Sequence, residues 1–459
     1  MSSGSAFLRF WWTDNTRNAF LSHVAKDDLH SVRLACHDFS VRAAPLLFRE
    51  VAVTFRPGSF TKPARMAALQ RIGHHIETFQ FNMSHGPETF LPPLLDPVTG
   101  EEQTFVYTPH IQSSRVSASR LSVPKYGSWE MTDLLVKQYP PLFHAATDVP
   151  SFIRAFSAMP CMTHLVISCP GQDSALRYRR SVVDYALISV RIAAERASLP
   201  SLNTLSLLPI HPSGVFYLRP IMSFGTLPNS VKRWTQIDRL AIHMDSCPFD
   251  SQTPVDHLRL LHSYLDLFKP SLKRFLFRWR GNKGPSPLSF STEPCFLPSP
   301  SYNTSSAACP TRSTRPPGAL RFPRLRYMEL ENAVLDATQI SSFITSHRRT
   351  LYEFNFEDVI LRTGTWEEAL APLTRISGSE TWKQKAEEVM EVPIILDAVG
   401  LGKGEMEQVM WESEKERSKF KERKLFGGLH KAGSRGREIF WGGPEHMKKF
   451  LRSSIFSWR

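Results

Sequence analysis

Residues 323–370 read PRLRYMELENAVLDATQISSFITSHRRTLYEFNFEDVILRTGTWEEAL and contain two copies of one six-residue pattern. The copies, LRYMEL from Leu325 and LYEFNF from Leu351, are apolar at positions 1, 4 and 6. The segment between them, residues 337–347, has the spacing of a helix with one apolar face, formed by Ile340, Phe343 and Ile344. Strand, helix and strand in this order predict two parallel strands joined by a helical crossover.

The same six-residue pattern occurs five more times upstream, starting at Ile76, Met162, Leu202, Ile237 and Leu272. Chance alone would place three fixed apolar positions at about 7% of sites, so the context of the copies carries the argument. Several copies follow a proline, and residues 181–196 and 255–268 have helical apolar spacing. The series is a degenerate form of the leucine-rich-repeat pattern, which predicts an irregular solenoid of parallel strands plus helices.

In such strands, positions 1, 4 and 6 point into the core, whereas position 5 and the residue after position 6 lie on the other face. These positions are the candidate contacts for a protein ligand: Gln80, Ser168, Ser206, His243, Arg278, Glu329, Glu331, Asn355 and Glu357. For any single residue in this set, simple solvation of a sheet surface is the favoured interpretation.

Near the N-terminus, residues 20–51 read FLSHVAKDDLHSVRLACHDFSVRAAPLLFREV. Apolar residues at Leu29, Val32, Cys36 and Phe39 are spaced 3, 4 and 3 apart, which predicts one helix with a single apolar face. Asp28 precedes this pattern and is the expected N-cap. Helices this short cannot bury their apolar faces alone, so they must pack on another part of the protein or on a partner.

The run KDDLHSVRLACHDFSVRAAPLLFREV resembles the F-box of fungal F-box proteins, and residues 323–370 resemble the ending that such proteins share. The resemblance implies a substrate-recognition subunit of a cullin–RING ubiquitin ligase, which binds the Skp adaptor through the F-box and a target protein through the solenoid. The adaptor-binding residues that it implies are Phe20, Leu21, Val24, Leu29, Val32, Leu34 and Phe39. The expected fold class is therefore α/β, with a short helical F-box followed by the leucine-rich-repeat-like solenoid.

One departure from the family pattern concerns the first residues. Family members usually begin with a Leu-Pro pair, whereas this chain has MSSGSAFLRFWWTDN, with Phe10, Trp11 and Trp12 in that region. An F-box-like scaffold for protein–protein interaction outside any ligase is therefore the alternative function.

Composition sets the remaining limits. The chain has 459 residues, of which 42% are hydrophobic and 22% charged, as expected for a folded protein. No apolar run is long enough to span a membrane. The N-terminal residues lack a basic region followed by an apolar one, so secretion is not expected. The six cysteines lack a CxxC motif, which favours reduced thiols in the cytoplasm or nucleus.

The net charge of +13 raises the alternative of a nucleic-acid-binding protein. Residues 403–459 contribute 14 Lys and Arg against 8 Glu, but the two signs alternate along that segment. Interleaved charges favour a solvated helix, so nucleic-acid binding is disfavoured.

The expected domains are an F-box-like module at 1–55, the solenoid at 56–378 and a charged tail at 379–459. Segments rich in Pro, Ser and Gly near 82–126 and 281–323 are expected to be insertions.

No catalytic centre is expected, so the chain is not predicted to be an enzyme, and no cofactor or metal is predicted. Gly400, Gly402 and Gly404 follow an apolar run but match neither the dinucleotide-binding nor the phosphate-loop spacing. Residues 243–257 contain His, Asp and Cys without the spacing of a tetrahedral metal site.

Overall fold

A computed structural model describes residues 6–103, 107–109, 111, 129–171, 180–220, 225–226, 230–246, 253–288 and 320–374. The chain divides into two compact units, Met1–Pro372 with Ile455–Arg459, and Leu373–Ser454. Apart from residues 373 and 374, the description below concerns the first unit. The predicted charged tail at 379–459 and the turn at Gly400–Gly404 lie outside the described residues.

The first unit is α/β, and its largest element is an eight-stranded sheet in which every neighbouring pair of strands is parallel. Its strands, in their order across the sheet, are β1 (Glu50–Thr54), β2 (Thr78–Asn82), β5 (His164–Ser168), β6 (Thr204–Ile210), β7 (Arg239–Asp245), β8 (Arg274–Arg280), β10 (Tyr327–Glu331) and β12 (Glu353–Glu357). The order across the sheet is the order along the chain, so each strand pairs with the strands that precede and follow it in this series.

All seven predicted strands are present, and the predicted core positions are buried except Phe354, which is half-buried. In the copy that starts at Leu202, for example, Leu202, Leu205 and Leu207 are all buried. β1 was not predicted, because its EVAVT sequence lies at the end of the stretch that resembles an F-box.

The α-helices of the described residues are α1 (Ala6–Trp12), α2 (Asp14–His23), α3 (Lys26–Ala35), α4 (His37–Leu47), α5 (Pro63–Ile72), α6 (Trp129–Gln138), α7 (Pro141–Thr147), α8 (Val149–Ser157), α9 (Val182–Arg196), α10 (Gly214–Leu218), α11 (Ser230–Trp234), α12 (Thr253–Leu265), α13 (Ala337–His347) and α14 (Trp366–Thr374). Nine of them, α5 to α13, lie in the connections between consecutive strands of the large sheet. The helices predicted at 181–196, 255–268 and 337–347 are present, and a 3-10 turn at Asp266–Phe268 extends α12.

α9 is buried over most of its length. Its N-cap Ser181 accepts from the amide of Val183, and the carboxylate of Asp184 accepts in return from the amide of Ser181, which forms a capping box. α9 packs against α7, α8 and α10, and twelve of its fifteen residues are buried. Its burial is therefore not limited to the single apolar face that the sequence predicts.

A smaller parallel sheet lies beside the C-terminal strands, in the order β13 (Ile360–Thr363), β11 (Ala333–Asp336) and β9 (Gly284–Pro285). β11 and β13 each follow a strand of the large sheet after a residue of positive φ, Asn332 and Asp358, and Gly281 has positive φ between β8 and β9. The Asn332 side chain also donates to the carbonyls of Trp279 and Gly281, 3.0 and 3.1 Å away, and so ties this turn to the preceding one.

The two predicted insertions contain ordered pieces. The first includes an antiparallel hairpin of β3 (Leu94–Leu95) and β4 (Glu102–Gln103). The second begins with β9 and ends with the buried Leu320 and Phe322. Residues 289–319, the rest of the second segment, lie outside the described residues.

None of the helices in the described residues has the length and apolar character that a membrane span requires. The described cysteines Cys36 and Cys161 are exposed, Cys169 is buried, and all three are free thiols.

Candidate functional site

The first four helices form a small apolar cluster of their own. Its buried members are Trp11, Leu21, Leu29, Ala43 and Leu47. The ring of Trp11 packs against Phe39 with centroids 4.2 Å apart, and its Nε1 donates to Asp38 at 2.5 Å. That hydrogen bond is the main reason why the pKa of Asp38 is lowered.

The cluster divides the predicted adaptor-binding residues into two groups. Leu21 and Leu29 are buried within it, and Val24, Val32 and Phe39 pack against it half-buried. Phe20 and Leu34 point outward and are 46% and 86% exposed. Only the outward group offers apolar surface to a partner without unfolding these helices.

Other large apolar side chains near these helices are exposed as well: Phe10, Trp12 and Val41. The rings of Phe10 and Phe20 meet edge to face at 5.7 Å, so these two side chains form one apolar patch. Of the three aromatic residues Phe10, Trp11 and Trp12, Trp11 therefore belongs to the core of the cluster, and the other two are exposed.

The predicted single apolar face through Leu29, Val32, Cys36 and Phe39 is wrong. Cys36 is extended, with φ −161° and ψ 169°, and it separates α3 from α4. Asp28 is also not the N-cap, because α3 begins two residues earlier and places Asp28 in its first turn. A negative charge in the first turn still stabilises the helix through its dipole.

The second candidate surface is the face of the large sheet that carries pattern positions 5 and 7, here called the polar face. By strand register, Gln80, Ser206, Glu329 and Asn355 lie in one row across the strands. The next row holds Ser168, His243, Arg278, Glu331 and Glu357. Both rows alternate with the core residues along each strand, so all nine predicted contact residues share one face.

Two of these nine residues are not accessible to a ligand, which corrects the prediction. Ser206 is 2% exposed, and its hydroxyl bonds to His164 Nε2 at 2.8 Å. Ser168 is 9% exposed. Both lie on central strands, where side chains of neighbouring strands cover a residue as short as serine.

Charge is unevenly distributed over the polar face. β7 and β8 contribute four arginines, Arg239, Arg274, Arg278 and Arg280, and one carboxylate, Asp245, which pairs with Arg280 at 3.5 Å. β10 and β12 contribute Glu329, Glu331, Glu353 and Glu357. The two groups meet at Arg278 and Glu331, whose charged atoms are 3.1 Å apart. The polar face therefore presents a basic strip beside an acidic strip.

Sequence reasoning missed a third group of residues. His85, Asp184 and His211 each present a ligand-capable atom, and these atoms all lie within 4.8 Å of one another. The residues are 99 and 27 positions apart in sequence, so no local spacing signals them. The one usable signal was that His85 and His211 come shortly after two pattern copies, and the carboxyl ends of parallel strands meet at one edge of a sheet.

Comparison of the sequence with protein-family models and with curated proteins found no match in either case.

Proposed function

We propose that the chain is the substrate-recognition subunit of a cullin–RING ubiquitin ligase, with the Skp adaptor bound at the N-terminal helices and a target protein on the polar face. The observation that carries the proposal is that α2 and α3 each have both buried and exposed apolar side chains. Leu21 and Leu29 are buried, while Phe20 and Leu34 from the stretch that resembles an F-box remain exposed. Exposed apolar side chains on a small helical module, two of which, Phe10 and Phe20, form one patch, are typical of a docking surface.

Strand order supports the interpretation of the sheet as a leucine-rich-repeat-like solenoid. Each strand pairs with its predecessor and successor in the chain, which is the arrangement that stacked repeats produce. The positive-φ residues Gly281, Asn332 and Asp358 follow three successive strands at similar positions, as expected for repeated units.

This function requires no bond-making by the chain itself. A subunit that binds the adaptor at one end and a target at the other raises the effective concentration of a target lysine beside the ubiquitin-carrying enzyme. The basic and acidic strips favour a target with the complementary charge pattern, since such complementarity governs specificity and the rate of association.

Adaptor capture tests the proposal directly. Full-length wild-type chain, Leu34→Asp and the control Val98→Asp are compared for co-purification of the Skp adaptor and cullin. Leu34 and Val98 are 86% and 91% exposed, so either change should leave the melting temperature nearly unaltered. We expect Leu34→Asp to weaken adaptor binding about tenfold or more and Val98→Asp to have no effect.

The outcomes separate the proposed function from its alternative. Adaptor capture without cullin would identify a scaffold outside the ligase. Equal capture by Leu34→Asp and wild type, or no adaptor captured by wild type, would show that the helices are not an F-box. Leu29→Asp is unsuitable as a probe because Leu29 is buried and its loss would unfold the cluster.

A further inference from the structure

His85, Asp184 and His211 come from three separate elements that converge at one end of the sheet. His85 lies three residues after β2, His211 directly follows β6, and Asp184 lies in the first turn of α9. β2, β5 and β6 are adjacent in the sheet, so their carboxyl ends lie side by side. The imidazole rings of the two histidines meet edge to face with centroids 4.7 Å apart.

The cluster is buried and incompletely satisfied. His85 is 7% exposed, and neither of its ring nitrogens makes a hydrogen bond of acceptable geometry, although the carbonyls of Pro170 and Cys169 lie close by. Asp184 Oδ1 is likewise buried without a hydrogen bond, 3.8 Å from His211 Nε2. Buried polar atoms left in this state are costly, and an ion that the structure does not contain is one common explanation.

The charge balance of the site favours a cation. Asp184 contributes a carboxylate, and His85 and His211 contribute imidazoles, whose neutral form is the one that binds a metal. No Lys or Arg is recorded as an ion-pair partner of Asp184 among the described residues.

Orientation and space also suit a ligand role. Ser213 Oγ lies 2.8 Å from His211 Nδ1, the kind of second hydrogen bond that orients a metal-ligating histidine. Gly214 lies against the same ring, and a Cβ at that position would approach His211 Nε2 to 3.2 Å. Glycine thus leaves room beside the atom that would bind a metal.

We propose that His85, Asp184 and His211 bind a divalent transition-metal ion of the zinc class, with a water molecule in the fourth position. Two imidazole nitrogens and one carboxylate oxygen are a common donor set for zinc, whereas calcium and magnesium prefer oxygen ligands alone. Ligands about 2.0 Å from zinc in a tetrahedron are about 3.3 Å from one another, so binding draws the side chains slightly inward. The ion would join the ends of β2 and β6 to the start of α9.

Metal analysis of the full-length chain tests this proposal. The chain is stripped with a chelator, dialysed against buffered zinc and measured for bound zinc and for melting temperature. We expect one zinc per chain and a higher melting temperature with zinc than without, because a ligand that binds only the folded state stabilises it. Cobalt in place of zinc should give the visible absorption bands of a four-coordinate site.

Variants identify the ligands. His85→Gln and Asp184→Asn should each weaken zinc binding by about 100-fold or more, and Ser213→Ala by about 10-fold, as for a residue that orients a ligand. The control is the double variant His74→Gln with His75→Gln. It removes two neighbouring histidines elsewhere in the chain, whose ring centroids are 3.8 Å apart. We expect this control to retain zinc and its melting-temperature increase.

Two results would overturn the proposal. One is a wild-type chain that retains no zinc after dialysis, a measurement that does not depend on whether the variants fold. The other is zinc that is lost in the His74/His75 control but kept in His85→Gln, which would place the ion at the wrong site. Neither result affects the adaptor-capture test, since that test concerns different residues.

Discussion

The buried ion pair of α9 allows a quantitative prediction about the stability of the first unit. Arg191 Nη1 lies 2.8 and 3.0 Å from the two carboxylate oxygens of Glu195, and the two side chains are 0% and 2% exposed. Trp234 Nε1 also donates to Glu195 Oε1 at 2.9 Å. Removing one charge of a buried pair leaves the other charge buried without a partner, which lowers the free energy of unfolding by about 3–5 kcal/mol.

Glu195→Gln is the sharpest single change, because glutamine keeps the shape and an oxygen that accepts from Trp234. We expect the free energy of unfolding to fall by about 3–5 kcal/mol, a large part of the roughly 5–15 kcal/mol of a typical domain. The double variant Arg191→Met with Glu195→Gln removes both charges. It should be more stable than Glu195→Gln alone by at least about 1.5 kcal/mol.

Urea unfolding followed by circular dichroism and by tryptophan fluorescence measures these differences. Glu195→Gln should lower the urea midpoint by about 1 M or more, since slopes are about 1–3 kcal/mol per molar urea. If Glu195→Gln and Arg191→Met alone each cost less than about 1 kcal/mol, or if their costs simply add in the double variant, the pair is not the buried, desolvated contact described above.

Three further predictions concern other parts of the first unit. Burial lowers the pKa of His262 to about 4, below the value of about 6.5 in an unfolded chain, so the unfolded state takes up the proton first. Its contribution to stability is complete above pH 6.5 and is lost as the pH falls towards 4, by on the order of 3 kcal/mol. His262→Gln should flatten the dependence of unfolding free energy on pH in this window, and an unchanged slope would contradict the assignment. Gly73→Ala should destabilise the chain by at least about 2 kcal/mol, because its Cβ would lie 1.9 Å from the carbonyl oxygen of Ala158. Thermal unfolding of Gly100→Ala, where no atom lies within 4 Å but φ is +72°, measures the cost of backbone strain without a clash, about 1–2 kcal/mol, and should show the smaller effect. Arg278→Glu should cost less than about 1 kcal/mol of stability, since the Arg278 and Glu331 side chains are 33% and 17% exposed. Adding Glu331→Arg should restore that stability but not the capture of a target protein, and restored capture would mean that the charge pattern of the polar face does not select the target.

The sequence predicted the large sheet well because its pattern depends on a strong, local effect. A residue such as Leu205 or Leu207 must be buried for its strand to pack, so the apolar positions recur wherever a strand occurs. β1 was not predicted because its EVAVT sequence has only short apolar residues and begins three residues after α4 ends, within the stretch that resembles an F-box.

The N-terminal helices show the opposite case. The spacing of the apolar residues predicted one helix from Leu29 to Phe39. The extended Cys36 divides this segment into α3 and α4, and both helices pack on the same apolar cluster. A pattern of periodic apolar residues cannot distinguish one helix from two helices that pack on a common core. It also cannot tell Leu21, which is buried, from Phe20, which is exposed, because that distinction depends on the neighbouring helices.

The His85, Asp184 and His211 cluster was beyond local pattern analysis for a topological reason. Each residue alone is an unremarkable loop or helix-start residue, and only the parallel arrangement of β2, β5 and β6 brings them together. The segment at 243–257, in contrast, was considered because its candidates are close in sequence, which is a poor guide to closeness at the end of a parallel sheet.

The agreement between strand order and chain order has a mechanical consequence. Neighbouring strands are joined along their lengths by hydrogen bonds, and β1 and β12 are the two outermost strands of the eight. Traction applied from the carboxyl-terminal side passes first through α14 and β13, which pairs with β11, and then reaches β12 before any other strand of the large sheet. We expect the strands of the large sheet to detach one after another from the β12 edge, rather than all at once by shear.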